Sequence, residues 1–274
     1  MLIKDALIYG KNYLCEGQTA FLDSIILLRH VTGLTKEKIL LSDSQISNEL
    51  FDNFCVLLQK RKNKMPIQYI INLAEFMGLK FYVDENVLIP RPDTEIMVEK
   101  AVEFIGDKKL NVLELCTGSG CICVALKKFC PSINICAVDI SNKAIVIAKK
   151  NALLNGVNIN FQCVDIFEEF IFNIPPVFDI IISNPPYINS REILTLDKSV
   201  KDYEPLIALD GGEDGLKFYR FIAEKIFHKC KLFLEIGFDQ AQSVSDILSK
   251  NGFCNLKIIN DLAGLNRVIC ANKE

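Results

Sequence analysis

The amino-acid sequence predicts an α/β fold: a doubly wound, mainly parallel seven-stranded sheet, preceded by a small N-terminal helical bundle and a connecting β-hairpin. Three observations predict it. Residues 1 to about 72 show apolar positions at helical spacing. From about residue 93, short apolar runs alternate with helical patterns, as in successive strand–helix–strand units. The last two apolar runs have no helix between them, which indicates an antiparallel strand at the end of the sheet.

Two helices can be outlined in the N-terminal segment. We expect Thr19 to cap the first and Gly33 to end it, because both residue types favour those positions. Ser47 precedes the second, whose basic end at residues 60–64 suits either the helix dipole or the docking of an acidic partner. The apolar positions of the two helices are Phe21, Leu22, Ile25, Leu28 and Val31, and Leu50, Phe54, Leu57 and Leu58.

A hairpin is predicted between the helical segment and the strand–helix repeats. Met65 and Pro66 break the helical pattern, and short alternating apolar runs then flank Gly78. We therefore expect an N-terminal helical domain at 1–73, a hairpin connector at 74–90 and the sheet domain at 91–274.

The sheet domain is predicted to open with a helix capped by Asp93 or Thr94 and running to about Ile105. The predicted strands are Val112–Leu115, Ile133–Val138, Ile159–Val164, Phe178–Ser183, Leu232–Ile236, Cys254–Asn260 and Asn266–Cys270. Helical patterns such as 143–154 and 215–228 separate most of them.

Composition excludes several classes of protein. The chain has 274 residues and a net charge of −3, which argues against an extended nucleic-acid interface because such interfaces usually need a basic face. No apolar run approaches the roughly 20 residues that span a bilayer. The N-terminus lacks the pattern of a secretion signal, so we expect a cytoplasmic protein with no membrane contact.

Cysteine and histidine usage argues against metal and triad chemistry. The 11 cysteines are scattered without a Cys-x-x-Cys pair, so no metal site is expected. Several, such as Cys136 and Cys163, fall inside predicted strands and are interpreted as small buried apolar residues. Only 2 histidines occur, which leaves little for histidine-based acid–base chemistry.

The tetrapeptide Asn184-Pro185-Pro186-Tyr187 follows an apolar strand, at the end of the strand where open α/β sheets bind ligands. The Asn184 side-chain oxygen and the Pro185 carbonyl can each accept a hydrogen bond, and proline has no backbone N–H to compete. The Tyr187 ring offers a flat surface. Together these groups can hold a planar –NH₂ by both hydrogens, which suggests methyl transfer to an amide or exocyclic amino nitrogen. The tetrapeptide alone fits an ordinary proline turn after a strand equally well, and the rest of the chain favours methyl transfer.

The preceding strands end in a candidate cofactor site. Residues 116–120, Cys-Thr-Gly-Ser-Gly, follow the first strand, and their glycines allow close backbone approach to a ligand. Glu114 in that strand is a candidate partner for a cationic amino group or its water shell. Asp139 can accept from ribose hydroxyls, and Asp165 from an adenine amino group, with Ile166 or Phe167 against the base. This ordered set fits S-adenosylmethionine better than a dinucleotide, since Gly-x-Gly-x-x-Gly is absent.

At these residues the sequence resembles the release factor glutamine methyltransferases, also called the PrmC or HemK family. The resemblance runs over essentially the whole chain and is strongest from about residue 65 to 270. The most specific segment is Pro90–Glu95, because DNA amino-methylating enzymes share the Asn-Pro-Pro-Tyr type of motif but lack this one. The matching segments are residues 65–70 (MPIQYI), 88–95 (LIPRPDTE), 114–120 (ELCTGSG), 183–188 (SNPPYI) and 203–205 (YEP) with 208–209 (AL).

The resemblance implies a Rossmann-like class I methyltransferase domain that uses S-adenosylmethionine. It also implies methylation of the side-chain N5 of the glutamine in the Gly-Gly-Gln loop of peptide chain release factors, with the N-terminal helical domain binding the release factor. The chain departs from many members at Cys116, where Gly is common, and at Glu114, where Asp is common. Ile166 replaces an aromatic residue of some members, so we expect weaker adenine stacking.

On this reading, Asn184 and Pro185 hold the amide against the cofactor methyl, Pro186 and Tyr187 line the amide, and Arg91 lies near the substrate or ties the hairpin to the sheet. The cofactor is expected on Glu114, Asp139, Asp165, Ile166, Asn184 and residues Cys116, Thr117, Gly118, Ser119 and Gly120. We expect a monomer without direct nucleic-acid binding. Two alternatives remain open: methylation of an adenine or cytosine amino group in nucleic acid, and a non-catalytic release-factor-binding protein.

Overall fold

The computed structural model describes residues 1–15, 19–41, 43–168 and 177–274. The chain divides into two compact units. The first comprises Met1–Asn72 with Lys198–Tyr203, and the second comprises Leu73–Asp197 with Glu204–Glu274.

The first unit is a helical bundle around its own core. Its helices are α1 Ile3–Leu14, α2 Ala20–Thr32, α3 Lys36–Leu41, α4 Asn48–Lys62 and α5 Ile67–Ile71, and the short helix α9 Lys198–Lys201 belongs to the same unit. Buried aliphatic and aromatic side chains of α1, α2 and α4 meet in one cluster that includes Leu7, Leu28, Phe54 and Leu58. Burial of such a cluster is the main stabilising term for a unit of this size.

Two of the predicted caps in this unit are confirmed. Ser47 accepts a hydrogen bond from the backbone N–H of Leu50, and Gly33 ends α2 with φ +69°. Thr19 occupies the predicted N-cap position of α2, but its hydroxyl donates to the Asp23 carboxylate and makes no cap hydrogen bond.

The predicted buried face of α2 is also partly wrong. Phe21 and Leu22 are exposed, whereas Leu27 is fully buried together with Ile25 and Leu28. Several three- and four-residue spacings coexist in this apolar helix, so periodicity alone did not select the face that packs.

The second unit opens with a two-stranded hairpin. Strands β1 Ala74–Phe76 and β2 Leu79–Phe81 pair antiparallel. Met77 and Gly78 form the turn with φ +52° and +70°, the left-handed pair that suits a two-residue hairpin. Phe76 and Phe81 are buried, and their rings pack edge to face 6.1 Å apart.

A mainly parallel sheet follows, as predicted. Its strands are β3 Asn111–Leu115, β4 Asn134–Asp139, β5 Asn160–Cys163, β6 Ile180–Ser183, β7 Cys230–Glu235, β8 Phe253–Asn260 and β9 Asn266–Lys273. Within the described residues these seven strands lie in the order β5-β4-β3-β6-β7-β9-β8. Only the contacts of β9 with β7 and β8 are antiparallel, which confirms the predicted antiparallel end of the sheet.

Helices cover both faces of this sheet. They are α6 Pro92–Ile105, α7 Cys121–Phe129, α8 Asn142–Leu154, α10 Lys217–Lys225 and α11 Ala241–Lys250. Because side chains alternate along a strand, Val112 joins the core under α6 and α7 while Leu113 joins the core under α10 and α11. The order of strands reverses between β3 and β6, which defines the crevice where ligands bind in such sheets.

Helix α6 begins differently from the prediction. Arg91 is its N-cap residue and Pro92 its first helical residue, which is a favoured place for proline. Asp93 and Thr94 therefore lie inside the first turn, and neither caps the helix. Thr94 is 2% exposed, so its side chain is directed into the protein.

The cysteines do not all behave as small core residues. Cys121, Cys123 and Cys130 are buried, but Cys163 is exposed and Cys136 is only partly buried. Cys163 lies on the edge strand β5, whose residues are mostly exposed, and Cys136 lies on the neighbouring strand β4. All 11 cysteines are free thiols. No helix in the described ranges has the length and apolar character required to cross a membrane.

Candidate active site

A cavity of about 580 Å³ opens at the carboxyl ends of the parallel strands, at the crevice between β3 and β6. This volume suits a ligand of cofactor size. Most of the predicted site residues line it: Arg91, Cys116, Thr117, Gly118, Ser119, Asp139, Asp165, Ile166, Asn184 and Pro186. Four predicted site residues do not line the cavity: Glu114, Gly120, Pro185 and Tyr187.

The loop after β3 is held in an unusual backbone conformation. Cys116, Gly118 and Gly120 all have positive φ, at +57°, +53° and +78°. A Cβ added to Gly120 would lie 3.0 Å from the Ala148 Cβ on α8, so this glycine serves close helix packing. Gly118 faces open space, which leaves its backbone accessible to a ligand.

Glu114 lies behind this loop and is fully buried. Its Oε2 accepts from the Thr117 hydroxyl at 2.7 Å and from the Cys123 N–H at 3.2 Å, while its Oε1 has no hydrogen-bond partner. Burial raises the pKa of this carboxyl to about 7. Glu114 does not line the cavity, and its contacts are with Thr117 of the loop and with the first turn of α7.

Asp139, the last residue of β4, lines the cavity directly. Its Oδ2 accepts from the Gly118 N–H at 2.8 Å and its Oδ1 from the Ser141 N–H at 2.9 Å. Burial raises the pKa of Asp139, and the two backbone donors oppose that shift. Each carboxylate oxygen can accept a further hydrogen bond, so Asp139 can bind hydroxyl donors while it holds Gly118.

The end of β5 supplies the next part of the wall. Asp165 Oδ1 accepts from the Phe167 N–H at 2.9 Å, and Ile166 is buried against the cavity. The Phe167 ring also lines the cavity and has the Lys217 Nζ 4.4 Å from its centroid. An acceptor beside an apolar wall is suited to a base with an exocyclic amino group.

Asn184 directly follows β6, and its position is fixed by the sheet. Ser183 pairs with Leu115 across β6 and β3, and its hydroxyl donates to the Leu115 carbonyl at 2.8 Å. Asn184 therefore lies beside Cys116 at the crevice. Its Nδ2 donates to the Thr94 hydroxyl oxygen at 3.2 Å.

Of the rest of the tetrapeptide, only Pro186 is among the residues that line the cavity. Pro185 is buried, and the Tyr187 hydroxyl is 3.4 Å from Glu235 Oε1. The structure does not place the Tyr187 ring on the cavity wall, where sequence analysis expected it to cover a substrate amide. Desolvation and the nearby Glu235 raise the pKa of Tyr187, so the phenol is neutral.

Glu235 is a buried carboxyl behind the cavity wall that the sequence motifs do not indicate. It is 1% exposed and accepts from the Thr94 hydroxyl through Oε2 at 2.6 Å. Burial raises its pKa to about 7, against the stabilising contacts of Thr94 and Arg267. The available signal was an acidic residue at the end of the apolar strand Leu232–Leu234, where a parallel sheet directs its strand ends to the site.

The segment Pro90–Glu95 joins the site to its surroundings, and this explains its distinctive composition. Arg91 pairs with the buried Glu204 at 2.5 Å, and Arg91 also lines the cavity. Thr94 links Asn184 with Glu235. Two further side-chain contacts of the segment are Asp93 with Arg267 at 3.4 Å and Glu95 with the Met77 N–H at 2.6 Å.

The cavity fits S-adenosylmethionine by its donor and acceptor chemistry. Asp139 offers acceptors for ribose hydroxyls, and Asp165 with Ile166 offers an acceptor and an apolar wall for adenine. Two acidic walls disfavour a polyphosphate and suit a ligand that carries a cationic sulfonium. Among the described residues, no group of histidines, cysteines and carboxylates is arranged to hold a metal ion.

Comparison with known proteins assigns the chain to a family. Residues 93–200 match the model of the methyltransferase small domain, and residues 5–71 match the PrmC N-terminal domain. A release factor glutamine methyltransferase of Clostridium acetobutylicum is 42% identical over 99% of this chain and 98% of its own. One of Bacillus subtilis is 38% identical over 98% and 97%.

A solved structure supports the fold. The crystal structure of a methyltransferase from Pyrococcus furiosus superposes with a TM-score of 0.53 at 17% identity, covering 72% of this chain and 90% of that one. The chain therefore belongs to the family of release factor glutamine methyltransferases, enzymes that take their methyl group from S-adenosylmethionine.

Proposed function

We propose that this protein methylates the side-chain N5 of the glutamine in the Gly-Gly-Gln motif of peptide chain release factors. One observation carries the proposal most directly: Asn184 lines the cavity while its own amide nitrogen is bound by Thr94. Its Oδ1 accepts no hydrogen bond from the described residues and is the end of the amide left for a substrate donor. The names of the curated relatives support the same substrate.

We propose that Asp139 binds the cofactor ribose, that Asp165 and Ile166 bind its adenine, and that the loop Cys116–Gly120 encloses its methionine part, with Glu114 supporting the loop through Thr117. S-adenosylmethionine supplies an electrophilic methyl group on a sulfonium centre. The chain's own task is to keep the acceptor nitrogen aligned with that methyl, which is catalysis by position and fixed dipoles.

On the substrate side, Asn184 Oδ1 and the Pro185 carbonyl are proposed to accept the two N–H groups of the glutamine amide. An amide nitrogen is a weak nucleophile because its lone pair is delocalised into the carbonyl. Two acceptors that hold both hydrogens restrain the nitrogen and favour its pyramidal form as positive charge develops. Pro186 forms part of the cavity wall, and Tyr187 fixes the motif by donating a hydrogen bond from its hydroxyl to Glu235.

Arg91 is proposed to shape the substrate entrance. Its guanidinium pairs with Glu204, which is buried and would otherwise be an isolated carboxylate. This pair joins the segment before α6 to the segment before Leu206, and both segments line the cavity. Arg91 is thereby held in place rather than free to pair with a substrate charge.

The N-terminal helical domain, 1–73, is proposed to bind the release factor, with 74–90 as connector and 91–274 as the catalytic domain. The match of residues 5–71 to the PrmC N-terminal domain supports this division. We further propose that the protein acts as a monomer in the cytoplasm without binding nucleic acid directly, since its proposed substrates are proteins of translation.

The test is methyl incorporation from labelled S-adenosylmethionine into a purified release factor. The matched control is the same release factor with the motif changed to Gly-Gly-Ala, and a DNA oligonucleotide containing adenine and cytosine serves as the alternative substrate. We expect label in the Gly-Gly-Gln protein alone. Equal labelling of the Gly-Gly-Ala protein would overturn the glutamine assignment, and labelling of the oligonucleotide alone would favour a nucleic-acid amino-methyltransferase.

A further inference from the structure

Three side chains form a hydrogen-bonded row from the cavity wall into the protein interior. Asn184 Nδ2 donates to Thr94 Oγ1 at 3.2 Å, and Thr94 Oγ1 donates to Glu235 Oε2 at 2.6 Å. Asn184 and Thr94 line the cavity, whereas Glu235 is 1% exposed and does not. Glu235 therefore acts on the site through the residues that bind it, which are Thr94 at Oε2 and Tyr187 at Oε1.

The direction of this row follows from the number of hydrogens. A threonine hydroxyl has a single hydrogen and two acceptor positions. While Glu235 is ionised it can only accept, so the hydroxyl hydrogen is directed to Glu235. The Thr94 oxygen then has only lone pairs directed at Asn184, so the Asn184 side chain must donate a hydrogen bond from its –NH₂ group.

We propose that Glu235 and Thr94 are positioning residues that fix which end of the Asn184 side-chain amide faces the substrate. The inference rests on the proposed function, because Asn184 Oδ1 must be the end that meets the glutamine –NH₂. Without these hydrogen bonds the Asn184 amide can rotate by half a turn. Its –NH₂ group then faces the –NH₂ group of the substrate glutamine, and Asn184 Oδ1 no longer accepts from the substrate.

The surroundings of Glu235 keep it in place. Tyr219 donates to the Glu235 backbone carbonyl at 2.9 Å, and the Thr94 end of α6 directs the positive end of a helix dipole towards the carboxylate. The titratable and charged groups that act on the Glu235 carboxyl from the neighbouring elements are Arg267, Asp93, Tyr187, Tyr219 and Cys121. Of these only Arg267 is a cation.

Ionisation of Glu235 sets the direction of the row. Burial raises its pKa to about 7. Above this pH the carboxylate accepts from Thr94, and Asn184 is correctly oriented. Below it, the protonated carboxyl can donate to Thr94, which frees the threonine hydrogen for Asn184 Oδ1 and favours the reversed amide. Turnover at saturating cofactor therefore falls as pH decreases through about 7.

The test compares Thr94→Val, which removes the hydroxyl at equal shape, with Thr94→Ser, which keeps it. Loss of one oriented hydrogen bond predicts roughly a tenfold lower kcat/KM for the release factor in Thr94→Val. Cofactor Kd should stay within about twofold of the wild-type value, and Thr94→Ser should recover most of the activity. Equal loss in both variants would overturn the proposal.

A second measurement needs no turnover. In protein labelled with ¹⁵N-asparagine, the Asn184 side-chain amide signal is identified by its loss in Asn184→Ala. We expect this signal to titrate with an apparent pKa near 7 and to become independent of pH in Glu235→Gln. A signal that is flat in the wild-type protein, or that titrates unchanged in Glu235→Gln, would overturn the row.

The two measurements also separate this inference from the proposed function. If wild-type protein does not label the release factor, the proposed function fails, while the amide titration still reports on Glu235 and Thr94. If labelling is normal but Thr94→Val equals Thr94→Ser, the positioning role alone is lost.

Discussion

At the scale of single residues, the site depends on side chains that hold other groups as much as on those that face the cavity. Asp139 binds two backbone N–H groups, Glu114 binds Thr117, and Glu235 binds Thr94. All three carboxyls have raised pKa values because of burial. Clusters of perturbed carboxyls at a crevice are typical of functional sites.

Cys116 gives a prediction at this scale. Its φ of +57° favours glycine. Cys116→Gly should retain activity and change the free energy of unfolding by no more than about 1 kcal/mol, because relief of strain and added chain entropy oppose each other. Cys116→Val should lose about 2 kcal/mol, since a β-branched residue tolerates this conformation poorly.

Both Cys116 variants remove the thiol, so they separate backbone conformation from thiol chemistry. Urea denaturation and cofactor titration measure the two effects. Equal damage by glycine and valine would indicate that the thiol itself matters and would contradict a backbone explanation.

At the scale of elements, strand ends and the turns behind them determine the shape of the site. The backbone of Tyr187 is packed by two glycines, and a Cβ added to Gly211 would lie 2.7 Å from the Tyr187 Cα. A Cβ added to Gly215 would lie 2.4 Å from the Tyr187 carbonyl oxygen, which also accepts from Gln240 Nε2 at 2.9 Å. The backbone of the tetrapeptide is thus packed against Gly211, Gly215 and Gln240, which come at least 24 residues later in the sequence.

Gly215→Ala should therefore displace the tetrapeptide. Gly264→Ala is the matched control, because both glycines have positive φ, +72° and +80°, but an added Cβ at Gly264 meets no atom within 4 Å. Backbone strain should cost each variant about 1 kcal/mol of stability. We expect a further loss of at least about tenfold in kcat only for Gly215→Ala, because misplacement of reacting groups is costly. Equal kcat in the two variants would contradict this.

Local sequence signals predicted most elements and missed those that depend on distant partners. The apolar runs located the strands because a parallel strand is buried on both faces. Threonine is a residue type that often caps helices, yet the Thr94 hydroxyl is bound by Glu235, which lies 141 residues later in the chain. Glu235 reaches Thr94 because β7 lies beside β6 in the sheet. The order of strands in a sheet cannot be predicted from the spacing of residues along the chain.

The same distinction applies to the site. The residues that line the cavity lie in short contiguous motifs, so Asn184, Asp139 and the loop Cys116–Gly120 were recognisable. The orientation of Tyr187 towards Glu235, and the burial of Glu114 behind the loop, result from packing of several elements. Sequence pattern gave the residue types there but not the direction of their side chains.

At the scale of the whole molecule, the buried carboxyls affect stability. Glu114 and Glu235 have pKa values raised from 4.5 to about 7. The folded protein therefore binds more protons than the unfolded chain between these pH values. Their stabilising contribution is complete below pH 4.5 and is lost as pH rises through about 7, on the order of 3 kcal/mol for each group.

The free energy of unfolding of the cofactor-free protein should thus decrease between about pH 5 and about pH 8. Glu235→Gln removes one of the two groups, so its decrease should be smaller by roughly the contribution of one group. Urea denaturation at several pH values measures both. A wild-type protein whose stability rises over this range, or a variant with an unchanged slope, would contradict the assignment of raised pKa values.

The most direct measurement is the effect of Asn184→Ala on single-turnover methylation of the release factor, together with cofactor Kd. Because Asn184 is proposed to accept from the glutamine amide, we expect cofactor Kd to rise by no more than about threefold and the methyl-transfer rate to fall by about a hundredfold or more. A transfer rate near that of the wild-type protein would show that Asn184 does not hold the amide.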